Sequence, residues 1–362
     1  MSTTDLWLAR TRLVTPQGVV EGSVKIRSGR ISAIRPSPPR GAKALRLGGL
    51  YLAPGFIDLH VWGDPRAVAR DAVQCGTTAF LTTLGPERPK RLLAQLAEHG
   101  RVDGPGAECL GVHLEGPFVN PVRGGALPRR GMRAPTRREL ERLWRASLKH
   151  LRLVTIAPEL RGAREAIQWC RRHGILTSLG HSDADAATAL RAVEGGASAV
   201  THVFNGMRRL HPREPALLDM ALTDPRLTTM VIADGVHVSP TALRLLVRAK
   251  GADRIALVTD SIARQGWDVV VRQGAYYTRT GVLAGSRLTM IRAVENMVRL
   301  AGVSLSGAVH MATAVPAQLL GLARSRGTLR VGARADFVVF DHRFRVQMTM
   351  VGGRVIYQRK DF

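Results

Sequence analysis

Five segments of this chain share one pattern, an apolar or β-branched run that ends in a residue able to bind a cation or move a proton. GVHLE closes on Glu115, ILTSLGH on His181, SAVTH on His202, MVIADGVH on His237 and IALVTD on Asp260. Glu115, His181 and His202 are one carboxylate and two imidazoles, a donor set that holds a divalent ion while leaving a position for water. A carboxylate beside such an ion can take a proton from water and later hand it to a leaving group, and Asp260 in VTDS is placed for that work. One His at a strand end is more often structural, and Asp260 could instead cap a helix. Three donors at corresponding places shift the balance toward metal.

The segment THVFNGMRRLHPREP, from Thr201 to Pro215, follows a donor strand and carries Asn205, Gly206, His211 and Arg213. A side-chain amide, a free backbone N–H and a guanidinium are what an anionic group such as phosphate requires. His60 ends an earlier strand candidate and points to the same place. His113, two residues before Glu115 and so on the same strand face, reads as a packed core imidazole. His99, His150, His173 and His342 fall in expected helices or turns and read as surface residues.

Side chains so distant in sequence meet only if the strands that carry them end together. Eight strand candidates alternate with helical or loop segments: LAPGFIDLH, TTAFLTTL, CLGVHLE, LRLVTIAP, ILTSLGH, ASAVTH, TTMVIADG and RIALVTD. Thr136 with Glu139 forms a capping-box pattern, and Ser239 before Pro240 puts an N-cap residue ahead of a first-turn proline. Eight alternations predict an α/β fold with a (β/α)8 TIM-type barrel, in which every strand's carboxyl end opens on one mouth. Both termini read as strands instead. Val24, Ile26, Ile31 and Ala33 alternate with polar residues around Ser28-Gly29, and FVVFD, VQMTMV and RVIY surround the turn Gly352-Gly353. The expected division is therefore a small β-sandwich domain from residues 1–50 and 326–362 flanking a barrel over 51–325.

The 362 residues, 45% hydrophobic and 22% charged, are ordinary globular values and exclude a disordered chain. No apolar run approaches the roughly 18 residues of a membrane span. The start MSTTDLWLARTRL lacks a basic segment and a long apolar centre, so the expectation is a cytoplasmic protein. Cys75, Cys109 and Cys170 show no C-x-x-C spacing, which argues against a disulfide framework or a thiolate zinc site. The net charge of +25 would suggest nucleic acid, but only six of the 53 basic residues are lysines and the arginines are spread through most segments. That distribution reads as background composition and remains compatible with an anionic small ligand.

The matching stretches LAPGFIDLH, GTTAFLTTL, GVHLEGPF, IAPE, GHSDA, THVFNGM with HPREP, IADGVHV, LVTDS, GVLAGSRLTM and RADFVVFDHRFRVQMTMVGGRVIY resemble the N-acetylglucosamine-6-phosphate deacetylases of the amidohydrolase superfamily. They run nearly end to end and in order. The resemblance implies removal of acetate from N-acetylglucosamine 6-phosphate in amino-sugar recycling. It makes Glu115, His181 and His202 the metal ligands and Asp260 the acid/base, and it puts the phosphate on Asn205, the backbone at Gly206 and Arg213. Arg213 would come across a homodimer interface. His237 would contact a sugar hydroxyl, and Ala126, Leu127, Leu283, Ala284 and Gly285 would line the substrate. The cofactor implied is one divalent ion, zinc foremost, with iron, manganese and cobalt equally suited to the donors.

Two departures follow from the same comparison. Many relatives carry a second His two residues after the first, where this chain has His60, Val61 and Trp62, so one metal is expected. Where the family usually shows a His that helps polarise the acetamide carbonyl, this chain has Leu127. Such a donor is typically worth about 3 to 4 kcal/mol, a hundred- to a thousandfold in rate. Either the metal suffices, or Arg123, Arg129 or Arg130 substitutes, or the substrate is another N-acyl sugar phosphate or a cyclic amide. A non-catalytic homologue that binds polyanions is the alternative from a different class.

Overall fold

The computed structural model describes residues 5–100, 102, 104–262, 268–360 and 362. Each of the eight expected central segments contributes a strand, the first of them only through its second half. Phe56–Trp62, Thr77–Leu84, Glu108–Glu115, Leu151–Ile156, Leu176–Leu179, Ala199–Val200, Thr228–Val231 and Ile255–Leu257 lie parallel, each paired with the next. A further segment, Ser261–Ile262, pairs in parallel with Val61 and Trp62 of the first strand. Between these two pairings Val258 N donates to Val231 O at 3.1 Å and Asp260 N donates to His60 O at 2.8 Å. The sheet is therefore curled enough for its last segment to reach its first strand, within a mixed α/β fold.

Every residue of Phe56–Trp62 and Thr77–Leu84 is buried. Parallel strands covered on both faces carry such continuous apolar runs, where a half-exposed strand alternates. Helices cover the outside. Arg137–Ala146 starts where expected, with Thr136 Oγ1 accepting from Glu139 N at 3.2 Å. Pro240–Lys250 starts at Ser239, whose hydroxyl accepts from Ala242 N at 3.3 Å. Leu140, Leu143, Leu243 and Leu246 are the inward residues of these helices and join the main core.

The two ends of the chain weave one mixed eight-stranded sheet. Leu6–Thr15, Gly18–Arg27, Arg30–Arg35, Ala44–Arg46 and Tyr51–Pro54 come from one end, and Phe337–Phe340, Val346–Val351 and Arg354–Gln358 from the other. Tyr51–Pro54 joins the halves, parallel to Arg12 and Leu13 and antiparallel to Phe337–Phe340. Both expected two-residue turns, Ser28-Gly29 and Gly352-Gly353, take positive φ at both positions. LAPGFIDLH divides instead of forming one strand. Gly55 N donates to Asp336 O, while Phe56 N already donates to Gly76 O, so the backbone changes sheets between these two residues.

All three cysteines are free thiols. Among the described residues no helix is long and apolar enough to cross a membrane.

Candidate active site

The donors predicted from strand ends converge. Glu115 Oε1 lies 2.8 Å from His181 Nε2 and 2.7 Å from His202 Nε2, and the two nitrogens are 3.1 Å apart. Three different strands bring them here: Glu115 ends its own strand, while His181 and His202 each follow theirs by two residues. His181, His202 and Asp260 all take positive φ, at 47°, 29° and 47°. A non-glycine residue pays for that backbone, and such strain collects at functional sites. It lets each side chain leave the end of its strand toward the axis of the curl. Gly206 passes directly beneath. A Cβ there would stand 3.0 Å from His181 Nδ1, and its φ of +62° also suits glycine.

The donor chemistry fits a divalent cation. His181 Nδ1 lies 2.9 Å from Arg123 O, and a carbonyl only accepts, so Nδ1 carries the hydrogen. The lone pair on Nε2 of the neutral ring then faces a carboxylate oxygen and another imidazole nitrogen. Only protons or a shared cation can hold three such atoms together. Burial would raise the Glu115 carboxyl, but His60 and the hydrogen bonds from His181 and His202 hold it well below the usual carboxylate range. Burial would likewise lower His181, and the contact with Glu115 outweighs it, so the ring's affinity for a positive charge is raised.

Asp260 stands across from this cluster. His60 links the two, its Nε2 3.1 Å from Glu115 Oε2 and 3.2 Å from Asp260 Oδ1. Burial opposes charge on His60, yet the carboxylates of Glu115 and Asp260 raise it to about 9. His60, Glu115 and Asp260 form a second group of donor atoms within 4.8 Å of one another. Behind them Asp58 accepts from Thr259 Oγ1 at 2.6 Å and from His60 N at 3.1 Å. Burial pushes its carboxyl up to about 6 against those hydrogen bonds. His113 is fully buried, with Nε2 2.8 Å from Thr155 Oγ1, and burial and the nearby His60 push its ring well below the usual histidine range. It is the packed core imidazole expected.

Glu115, His181, His202 and Asp260 line a cavity of about 230 Å³, which Ala126, Leu127, Asn205, Gly206, His237, Leu283, Ala284 and Gly285 also line. Asp234 Oδ2 holds His237 by Nδ1 at 2.6 Å. Leu283 to Gly285 are stitched to the site by Ala284 N to Tyr276 O and Ser286 N to Asp260 O. Leu127 packs with Trp62, Ile262, Tyr276 and Val269 into an apolar wall. Arg213 is not brought in: it is exposed and stands outside the cavity, and no Lys or Arg is among the cavity's described lining residues. His150, His173 and His342 are exposed as expected, but His99 is half-buried with Nδ1 2.9 Å from Thr82 Oγ1.

Sequence reasoning passed over three contributors. Asp234 stands three residues before His237, and that spacing was the available signal. Glu159 of IAPE accepts from Asn120 Nδ2, Ser182 Oγ and Asp183 N and so braces the loop after His181. Trp62, noted only for not being His, donates its indole N–H to Asp260 Oδ1 at 2.9 Å.

The sequence profile of the amidohydrolase family matches residues 51–356. An N-acetylglucosamine-6-phosphate deacetylase of Vibrio furnissii is 36% identical over 91% of this chain and 89% of its own length. An N-acetylgalactosamine-6-phosphate deacetylase of Escherichia coli O157:H7 is 34% identical over 96% and 98%. Among solved structures, a variant N-acetyl-D-glucosamine-6-phosphate deacetylase from Mycobacterium smegmatis, in complex with N-acetyl-D-glucosamine-6-phosphate, is 32% identical. It superposes with a TM-score of 0.90 over 98% of this chain and 100% of its own. Profile, sequence and backbone point the same way, and the chain belongs to the amidohydrolase family, grouped with its amino-sugar-phosphate deacetylases.

Proposed function

We infer that this protein hydrolyses the acetamide of N-acetylglucosamine 6-phosphate to glucosamine 6-phosphate and acetate, a step of amino-sugar recycling. The observation that carries the reading is the meeting of Glu115 Oε1, His181 Nε2 and His202 Nε2 within 3.1 Å, with Asp260 facing them through His60. Glu115, His181 and His202 would hold one divalent ion, zinc before iron, manganese or cobalt, and such an ion would supply Lewis acidity toward water and a carbonyl. Asp260 accepts the proton of the attacking water and returns it to the departing nitrogen. Asn205 and the backbone N–H of Gly206 receive the phosphate. Arg213, outside its own cavity, serves the second subunit of a homodimer. His237, steadied by Asp234, takes a sugar hydroxyl, and Ala126, Leu127, Leu283, Ala284 and Gly285 enclose the sugar and its acyl group.

The same reading completes the fold as a TIM-type barrel that closes through Val258, Thr259 and Asp260. It adds a small β-sandwich domain from both termini, entered and left near residues 50 and 326, with the sheet change at Gly55 as the physical boundary. The reaction's place is the cytoplasm.

Leu127 carries no polar group and so donates no hydrogen bond to a substrate carbonyl. Its apolar wall with Trp62, Ile262 and Tyr276 supports a second reading, the same hydrolysis on a bulkier N-acyl group. The test is acetate release from N-acetylglucosamine 6-phosphate by protein stripped of metal and reloaded with zinc, iron, manganese or cobalt. Metal-dependent release with little activity on unphosphorylated N-acetylglucosamine is the expected result. Stoichiometric metal binding without acetate release, together with release from N-propionyl or N-butyryl analogues, would replace the first reading with the second.

A further inference from the structure

Trp62 ends the first parallel strand and is 8% exposed. Its indole Nε1–H donates to Asp260 Oδ1 at 2.9 Å, the oxygen that His60 Nε2 also approaches, at 3.2 Å. Among the described residues Oδ2 has no hydrogen-bond partner. The ring is wedged into place from several sides. A Cβ on Gly85 would meet Trp62 Cη2 at 2.8 Å and Leu127 Cδ2 at 3.5 Å, so glycine leaves the room that the indole fills. Ile262 and Tyr276 pack into the same cluster. Strand pairing of Ile262 with Trp62 and of Ser261 with Val61 ties the two backbones together.

We propose that Trp62 is a positioning residue for Asp260, its indole N–H pinning Oδ1 so that Oδ2 carries the proton. The proposal rests on the role read for Asp260 above. A carboxylate on a backbone at φ +47° has no regular strand to orient it, and one oxygen must be presented to the reacting water. The indole supplies a single donor on a rigid ring that cannot compete as an acceptor.

Trp62→Phe keeps the ring and removes the N–H. Expected is a fall in kcat of roughly ten- to a hundredfold, with KM for N-acetylglucosamine 6-phosphate within about twofold and bound metal per chain unchanged. Gly85→Ala, which pushes the indole aside while retaining it, should reproduce that signature. A Phe variant with wild-type kcat overturns the proposal. So does a fall matched by lost metal or raised KM, which would mean packing alone. If the wild-type protein releases no acetate, the substrate reading fails separately, and the hydrogen bond is read without turnover. Five tryptophans give five 15N-indole signals in the metal-free protein, and the one missing in Trp62→Phe belongs to Trp62. Its hydrogen should be protected from exchange and lose that protection in Asp260→Ala. Unchanged protection overturns the proposal.

Discussion

The mouth of the parallel sheet and the sheet woven from the two termini use similar β-branched and aromatic residues, yet they bury opposite things. Beneath the terminal sheet lie Leu8, Leu13, Val24, Ile26, Ile31, Leu52, Phe337, Val339, Met348 and Met350, an apolar cluster. At the mouth, Asp58, His60, His113, Glu115, His181 and His202 are buried together. Burying apolar area stabilises a fold, whereas burying ionisable groups costs unless each finds a partner. The mouth meets that cost with mutual contacts of 2.7 to 3.2 Å and accepts left-handed backbone at His181, His202 and Asp260. One region therefore holds the chain together, and the other is held by it.

Substitutions on either side should separate those two duties. The largest effect is expected for Asp260→Asn. Turnover should fall by about a hundred- to ten-thousandfold, with metal content unchanged, because proton transfer is lost and the donor triad is not touched. Assay of acetate release beside metal analysis checks this, and full activity would remove Asp260 from its role. Next in size, Phe337→Ala in the fully buried terminal core should cost about 3 to 5 kcal/mol of stability. Denaturant unfolding reads that loss, while kcat/KM per folded molecule should stay within about twofold; a large kcat loss at full folding would break the division of labour. Thr136→Ala, which removes the helix cap on Glu139 N, should cost about 1 kcal/mol and leave kinetics alone. Smallest is Arg145→Ala. The pair with Glu141 is exposed, and its loss should change stability by less than about 0.5 kcal/mol.

Much of the parallel sheet was legible because fully buried strands write themselves as continuous apolar runs, and the polar residue that ends each run marks the mouth. TTAFLTTL and LRLVTIAP needed nothing else. LAPGFIDLH misled because its apolar run is continuous across Gly55, and only the change of backbone partner from Asp336 to Gly76 divides it. His99 read as a surface residue because helical position says nothing of the Thr82 hydroxyl it meets. Arg213 is exposed on its loop, and a role across a homodimer interface is one that the strand ends of a single chain do not position.

Residue type and order alone determined that a carboxylate and two imidazoles, and then Asp260, would stand at the ends of strands in one parallel sheet. Alternating apolar runs and helix caps are local signals, and a parallel sheet has one carboxyl end. Tertiary structure alone decided how those groups are aimed. The turn of His181, His202 and Asp260 into left-handed backbone and the hydrogen bond from Trp62 to Asp260 each depend on a partner or a packing space supplied from elsewhere in the fold. For Trp62 that partner lies 198 positions away. A hydrogen bond is satisfied within a few tenths of an ångström, and spacing along the chain does not resolve distances that small.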